Sequence, residues 1–281
     1  MMSLFNRYLF ICLLLMGISG FAVTAVAKEL VFGVHPYLAP EKINQKFQPM
    51  VTELSKQLGV SVSLVVSDSY QSHVESVLDK DYDLAYLGPV SAVKVLERQP
   101  AWPLLARLEV RGKPHFQGKI IVRVDSTQRS IKDLVGKTFA FGNKSSTMSY
   151  LVPRYTMAQR GVHLGDFNKV LFAGGHDKVA RAVIEGRADA GAVKEAVFFK
   201  NYGELKAIAT TVPISEHVFS ASPDLAIPIR NQISEILFNL DKSLQGRRIL
   251  HSIKREITDI VTVSPRDYDN LKAMLDKYQN D

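Results

Sequence analysis

The chain has 281 residues, a formal net charge of +7 and a single cysteine, with 46% apolar residues. That excludes an internal disulfide framework and a multi-thiolate metal centre, and no His, Asp or Glu cluster has metal-ligand spacing. Lysines and arginines are spread along the chain, which suits an anionic small ligand or plain solvation rather than nucleic acid.

The first residues read as a leader. Arg7 precedes an apolar run from Tyr8 to Gly17, and Ala25-Val26-Ala27 places small residues before Lys28. This is the pattern of a secretory signal peptide, residues 1–27, cleaved after Ala27. The apolar run is short for a membrane span. Cys12 sits within that run behind bulky residues, which argues against a lipid anchor. Cleavage leaves 254 residues without cysteine, and the loss of Arg7 takes the charge from +7 to +6.

Beyond the leader, strands and helices alternate. Leu30 to Val34 is a strand ending at His35-Pro36-Tyr37. Ile43, Phe47, Met50, Val51, Leu54 and Leu58 recur at helical spacing up to Gly59, with Pro49 placed to kink the run. Val60 to Val66 is a strand, Asp68-Ser69 caps a helix through Leu78, Tyr82 to Leu87 is a strand, and Val90 to Leu96 is helical. Further strands follow at 104–110, 119–124, 138–141, 170–173, 188–193, 206–211 and 218–221. Helices are expected at 146–161, 177–185, 194–201, 229–243, 245–254 and 266–279. Such alternation implies mostly parallel sheets covered by helices, an α/β class.

Turn-rich breaks near Arg111–Gln117 and Thr210–Ser215 bracket a self-contained βα block. Two crossings of this kind join two lobes around a cleft. The expected division is 28–112 and 212–281 as one lobe and 113–211 as the other.

The stretch Phe139 to Pro153 carries the main chemical signal: a strand, a turn at Gly142-Asn143, then Lys144-Ser145-Ser146-Thr147 at a helix start. Helix N-termini offer unpaired N–H groups and partial positive charge, so this loop suits an oxyanion. A hydroxyl that merely caps the helix explains the same pattern, and the local sequence by itself favours that. Gly174-Gly175 before His176 is a second such start, with Asp177 as an alternative cap. Tyr37, Tyr70 and Tyr86 end other strands or begin helices at the same edge; each taken singly fits packing as well as ligand contact.

Together, Phe141-Gly142, Ser145-Ser146-Thr147, Leu151-Val152-Pro153, Gly174-Gly175-His176-Asp177 and Gly186-Arg187-Ala188-Asp189-Ala190 resemble the phosphate/phosphite/phosphonate-binding proteins of bacterial ABC importers. Asp83 to Pro89 is similar to the matching first-lobe element. The resemblance spans nearly all of 28–281. It implies a two-lobe periplasmic-binding-protein fold, a type II-like clamshell with two hinge crossings, acting as a monomer without cofactor in the periplasm. It implies ligand contacts from Ser145, Ser146, Thr147, His176 and Tyr70, with Tyr86 as an aromatic wall and Tyr37 beside it. Met148-Ser149 stand where the family has Ser-Gly. A thioether replaces a hydroxyl and a Cβ replaces a glycine, which leaves the exact oxyanion open, a bulkier or less charged ligand or a weakened phosphonate site being the alternatives. Glu195 and Glu216 are expected on the solvated surface.

The function implied is capture of a phosphonate-type oxyanion for an ABC permease. A sensory protein read by a membrane histidine kinase has the same cleft, as does a receptor for another small anion. An enzyme with Ser146 and His176 is disfavoured. Asp177 adjoins His176 and orients it poorly, and no Gly-x-Ser-x-Gly elbow surrounds Ser146.

Overall fold

The computed structural model describes residues 29–278, so the leader at 1–27 lies outside the described residues. The first helix shows how local sequence sets the elements. β1 (Leu30–Val34) leads to α1 (Pro40–Leu58), which starts with proline at its first turn and ends at Gly59 in the left-handed region, φ 69°. Glycine reaches that conformation without a Cβ penalty, which stops the helix there. α1 buries Ile43, Phe47, Met50, Val51 and Leu54 and continues past Pro49, whose side is exposed. The carbonyl that Pro49 leaves without an N–H partner therefore faces water.

The chain continues through β2 (Val62–Val66), α2 (Tyr70–Leu78), β3 (Leu84–Leu87), α3 (Pro89–Arg98), β4 (Leu104–Val110), β5 (His115–Phe116) and β6 (Gly118–Arg123). After them come β7 (Thr138–Phe141), a π-helical turn (Thr147–Leu151), α4 (Val152–Ala158), β8 (Lys169–Phe172), α5 (His176–Ile184), β9 (Ala190–Lys194) and α6 (Glu195–Lys200). The last elements are β10 (Leu205–Thr210), β11 (Ile214–Ser215), β12 (Val218–Ala221), α7 (Ile227–Asn239), α8 (Leu244–Ile253), β13 (Ile257–Val261) and α9 (Asp269–Tyr278).

Two large sheets result, ordered β13-β4-β12-β3-β1-β2 and β10-β6-β9-β7-β8. Strands from 30–110 and 218–261 form the first, and strands from 118–210 the second. Neither is mostly parallel, as the alternation had suggested. β1 is parallel to β2 and β3, and β7 to β8 and β9, but every other pairing in both sheets is antiparallel. The antiparallel half of each sheet arises where the chain crosses between sheets and returns in the opposite sense. β13 is a strand the sequence reading missed. It pairs with β4 at the sheet edge and separates the helices α8 and α9.

A two-stranded ribbon, β5 with β11, joins the crossings through Ile214 opposite Phe116 and Ser215 opposite His115. Each sheet has a buried cluster on both faces. One of them crosses between the sheets: Met148 and Val152 pack with Leu87, Val90, Phe116 and Ile214.

Gly33 fixes how closely β1 packs. A Cβ there would lie 2.2 Å from the Tyr82 ring. Gly33→Ala therefore has to push Tyr82 aside, at an expected cost of about 1–3 kcal/mol. Urea denaturation checks this; an unchanged midpoint would show that the ring is free to move.

Candidate functional site

The loop after β7 is shaped by Gly142 and Ser149. Gly142 N–H donates to Ser149 O at 3.0 Å, and a Cβ on Gly142 would lie 2.5 Å from Ser149 Oγ. Ser149 is fully buried, and its hydroxyl donates to Ala192 O at 2.6 Å. The chain then enters α4 through the π-turn rather than an ordinary helical turn, with Leu151 N–H donating to Ser146 O. Such turns widen a helix start and recur at functional sites.

Ser146 does cap this turn, since its Oγ accepts from Ser149 N–H at 3.2 Å. Capping uses an acceptor lone pair and leaves the hydroxyl proton available. Thr147 Oγ1 accepts from Val90 N–H at 3.4 Å, from the start of α3 on the other sheet, so its proton is also uncommitted. Ser145 is partly exposed, with its backbone N–H held by Asn143 Oδ1 at 2.8 Å. Met148 and Ser149 do not stand in the loop's polar face. Met148 is 1% exposed and packs into the cluster between the sheets, where its sulfur accepts from Thr211 Oγ1 at 3.6 Å. The thioether is therefore packed between the sheets and the Ser149 hydroxyl is spent on Ala192 O.

Facing this loop is a group of neutral rings. His35 lies 5.2–5.6 Å from Tyr37, Tyr70, Tyr86 and His217, ring centroid to ring centroid. His35, Tyr86 and His217 are nearly parallel, with interplanar angles of 9–14°. Their protons can be placed from their partners, because a carbonyl only accepts. Tyr86 O accepts from His35 Nδ1–H at 3.0 Å and from His73 Nε2–H at 3.2 Å. His73 Nδ1 then accepts from Ser67 Oγ at 2.8 Å, and Ser67 Oγ accepts from the Tyr82 hydroxyl at 2.9 Å. Burial holds His35 well below the usual imidazole range, helped by the repulsion its protonated form would meet from His217 and His73. Burial likewise raises the Tyr70 phenol to about 12 and pushes Tyr37 and Tyr86 further up. These phenols are neutral donors at physiological pH.

On the second sheet, α5 begins at Gly174-Gly175-His176. Its cap position is Gly175, with no side-chain cap, so Asp177 does not serve as one. Asp177 is exposed and pairs with Lys200 at 3.1 Å. His176 Nδ1 accepts from Lys194 N–H at 3.1 Å. Burial, then Lys194 and His217, hold this imidazole well below its ordinary value. A neutral ring that accepts at Nδ1 carries its proton at Nε2, making His176 a hydrogen-bond donor. Tyr37 and His176 line one cavity of about 360 Å³ between the two sheets.

Glu216 corrects the surface expectation. It is fully buried, with Lys254 Nζ at 2.9 Å from Oε1 and His217 Nδ1 at 3.0 Å from Oε2. Burial pushes its carboxyl up, but the bond from His217 and the charge of Lys254 prevail and hold it at about 2. Glu195 is half-buried beside Lys194. Sequence reasoning missed His73, Lys194, His217 and Lys254 as site residues and left His35 as a loop residue only. No motif surrounds them; the sheet order brings them together. Of the expected residues, the three tyrosines gather at His35, His176 joins Tyr37 across the cleft, and Thr147 reaches α3. No hydrogen bond among the described residues joins Ser145 or Ser146 to the tyrosines.

The sequence matches the model of the family described as the periplasmic substrate-binding protein of phosphonate ABC transporters, over residues 32–268. The chain belongs to this family. It is 26% identical over 262 residues to the phosphate-import protein PhnD of Mycolicibacterium smegmatis, covering 83% of this chain and 81% of that protein. It is 29% identical over 196 residues to a probable ABC transporter phosphite-binding protein, PhnD1, of Prochlorococcus marinus, covering 67% of this chain and 65% of that one. The solved structure of PhnD1 from Prochlorococcus marinus, in complex with methylphosphonate, superposes with a TM-score of 0.80 at 25% identity. That match covers 89% of this chain and 98% of PhnD1. The two-lobe binding-protein architecture is thus shared with this family, whose members are periplasmic.

The buried histidines make stability depend on pH. His73 is fully buried, and burial lowers it from 6.5 to about 4. Between those values the unfolded chain takes up a proton that the folded chain refuses. Stability present in full above pH 6.5 therefore falls as pH drops towards 4, by about 3 kcal/mol from this residue alone. His35, His176 and His217 shift the same way. Urea titrations at pH 7.5, 6, 5 and 4 are expected to show the loss beginning below pH 6.5. A flat stability down to pH 4.5 would contradict the neutral-ring assignment.

Proposed function

We propose that the protein captures a phosphonate-type oxyanion between its two sheets and delivers it to the permease of an ABC transporter. The observation that carries this is the set of neutral donors around the cleft: His176 Nε2–H, the hydroxyl protons of Ser145, Ser146 and Thr147, and the phenols of Tyr37 and Tyr70. Hydrogen bonds to an anion from such groups are stronger than neutral pairs. Tyr86 is held between Phe47, Phe219, His35 and His217 and forms an aromatic wall. The methylphosphonate bound by PhnD1 of Prochlorococcus marinus supports this choice of ligand class.

The lobes divide at the two crossings, 28–112 with 212–281 against 113–211. Ligand contacts from both lobes favour the closed state by the difference in affinity between closed and open forms. The leader at 1–27 carries the chain to the periplasm, where N-terminal sequencing of the secreted protein is expected to begin at Lys28. A non-enzymatic role is supported by the partners of the would-be triad. Ser146 is engaged with Ser149 N–H, His176 Nδ1 with Lys194 N–H, and Asp177 with Lys200. Neither Ser146 nor Asp177 bonds His176 among the described residues, so these three do not form a triad.

Calorimetry of the purified, ligand-free protein with phosphate, phosphite, methylphosphonate and sulfate tests the reading. Binding of at least one phosphorus oxyanion is expected, and Thr147→Val is expected to weaken it about ten- to hundredfold, the usual range for a hydrogen bond to a charged group. Failure of all three phosphorus oxyanions to bind folded protein would overturn it.

A further inference from the structure

A second cavity, of about 250 Å³, adjoins the first and shares Tyr37, Leu38, Asp177 and Lys194 with it. Its remaining wall brings in the charged side chains of Lys46, Lys200, Glu216, Lys254, Arg255 and Glu256. The three carboxylates here are already satisfied. Glu216 holds Lys254 and His217, Asp177 holds Lys200, and Glu256 lies 3.7 Å from Arg111. Lys46, Lys194 and Arg255 have no carboxylate partner among the described residues. Lys46 Nζ instead donates to Ser252 O and Ile253 O, at 3.2 and 3.0 Å, in the last turn of α8. The carbonyl end of that helix anchors the ammonium and offsets only part of its charge. Lys194 lies over the Tyr37 ring at 5.8 Å, so it stands between the two cavities.

An ammonium tail on the ligand would meet this surplus of positive charge. Glu216, the acid in this wall that holds Lys254 and His217, is not free to receive it. Glu216 is buried and neutralised, and Glu195 lines an adjoining cavity beside Arg111, Lys113 and Lys254. Lys194 itself is held below its ordinary value chiefly by burial, with the charge of Lys254 adding to this and Glu216 and Asp177 opposing it.

The geometry points to a ligand with two anionic groups, an oxyanion head in the first cavity and a carboxylate or phosphate on a short tail held by Lys46, Lys194 and Arg255. This rests on the oxyanion reading above and narrows it to a substrate class. The tail pocket excludes aminoalkyl phosphonates by like-charge repulsion and admits carboxyalkyl phosphonates or phosphorylated organic acids.

The test is calorimetry of the purified protein with methylphosphonate, phosphonoacetate and 2-aminoethylphosphonate at pH 7.5. Phosphonoacetate is expected to bind at least about tenfold more tightly than methylphosphonate, and 2-aminoethylphosphonate more weakly than either. The double variant Lys46→Met/Arg255→Met is expected to lose about tenfold in phosphonoacetate affinity while methylphosphonate stays within about twofold. Equal or tighter binding of 2-aminoethylphosphonate, or a phosphonoacetate advantage that survives in the double variant, would overturn the inference. The ranking in the unaltered protein decides the matter even where the double variant folds poorly. Absence of binding by all three ligands, with phosphate and phosphite silent as well, would instead overturn the oxyanion reading, an outcome distinguishable by the silent head-group titrations.

Discussion

Two backbone crossings, bonded to each other, set everything else in this protein. β5 and β11 pair directly, and just beyond them Gly118 N–H donates to Thr211 Oγ1 at 2.8 Å while Thr211 N–H donates to Gly118 O at 3.0 Å. On the other side the ribbon is fastened to the first lobe. Arg107 donates to Ser215 Oγ at 2.9 Å and pairs with Asp267 at 3.0 Å, and the Tyr268 hydroxyl donates to Glu216 O at 3.0 Å. The proposed motion between the lobes turns on the few residues between these two fastenings. The same ribbon delivers Glu216 and His217 into the cleft at the start of β12, so hinge and binding surface are built from one segment.

The second constraint is electrostatic. Four imidazoles near the cleft are kept neutral chiefly by burial, and the groups they face are carbonyl, hydroxyl and backbone groups and, for His217, the Glu216 carboxylate. Of the four, His176 carries its proton at Nε2 and can donate to an anion, and neutral rings add no charge to be desolvated. The formal charge is supplied further back, by lysines at the second cavity, while Glu216 ties down one of them. An uncompensated buried carboxylate would be costly, so removal of Lys254 alone is harsher than loss of the pair. Donors at the head and cations at the tail make the cleft selective in two separate ways.

Much of this was readable from the sequence where local chemistry decides. The helix from Pro40 to Gly59, the Ser69 cap and the strand–loop–helix around Ser145 to Thr147 all follow from periodicity and turn residues. The two turn-rich breaks suggested the lobe pairing, and the family pattern added the expected ligand contacts. What could not be read was set by distant contacts. β13 is five residues long and owes its existence to pairing with β4, and the antiparallel halves of both sheets reflect the crossings. His73 looks like any helix residue until Ser67 and Tyr86 O are placed on either side of it. Met148 looked like a change in the ligand surface, but the π-turn rotates it into the apolar contact between the sheets. Glu216 looked solvated because no neighbouring residue in sequence announces Lys254.

The central claim is that one oxyanion draws the two lobes together across this cleft. Spin labels at Glu41→Cys and Lys178→Cys, both exposed and on opposite sides of its mouth, report the separation directly by pulsed dipolar spectroscopy. The account predicts a broad distance distribution in the ligand-free protein that narrows to a single shorter distance with saturating methylphosphonate. A distribution unchanged by ligand, in protein shown by calorimetry to bind it, would contradict closure by shared contacts.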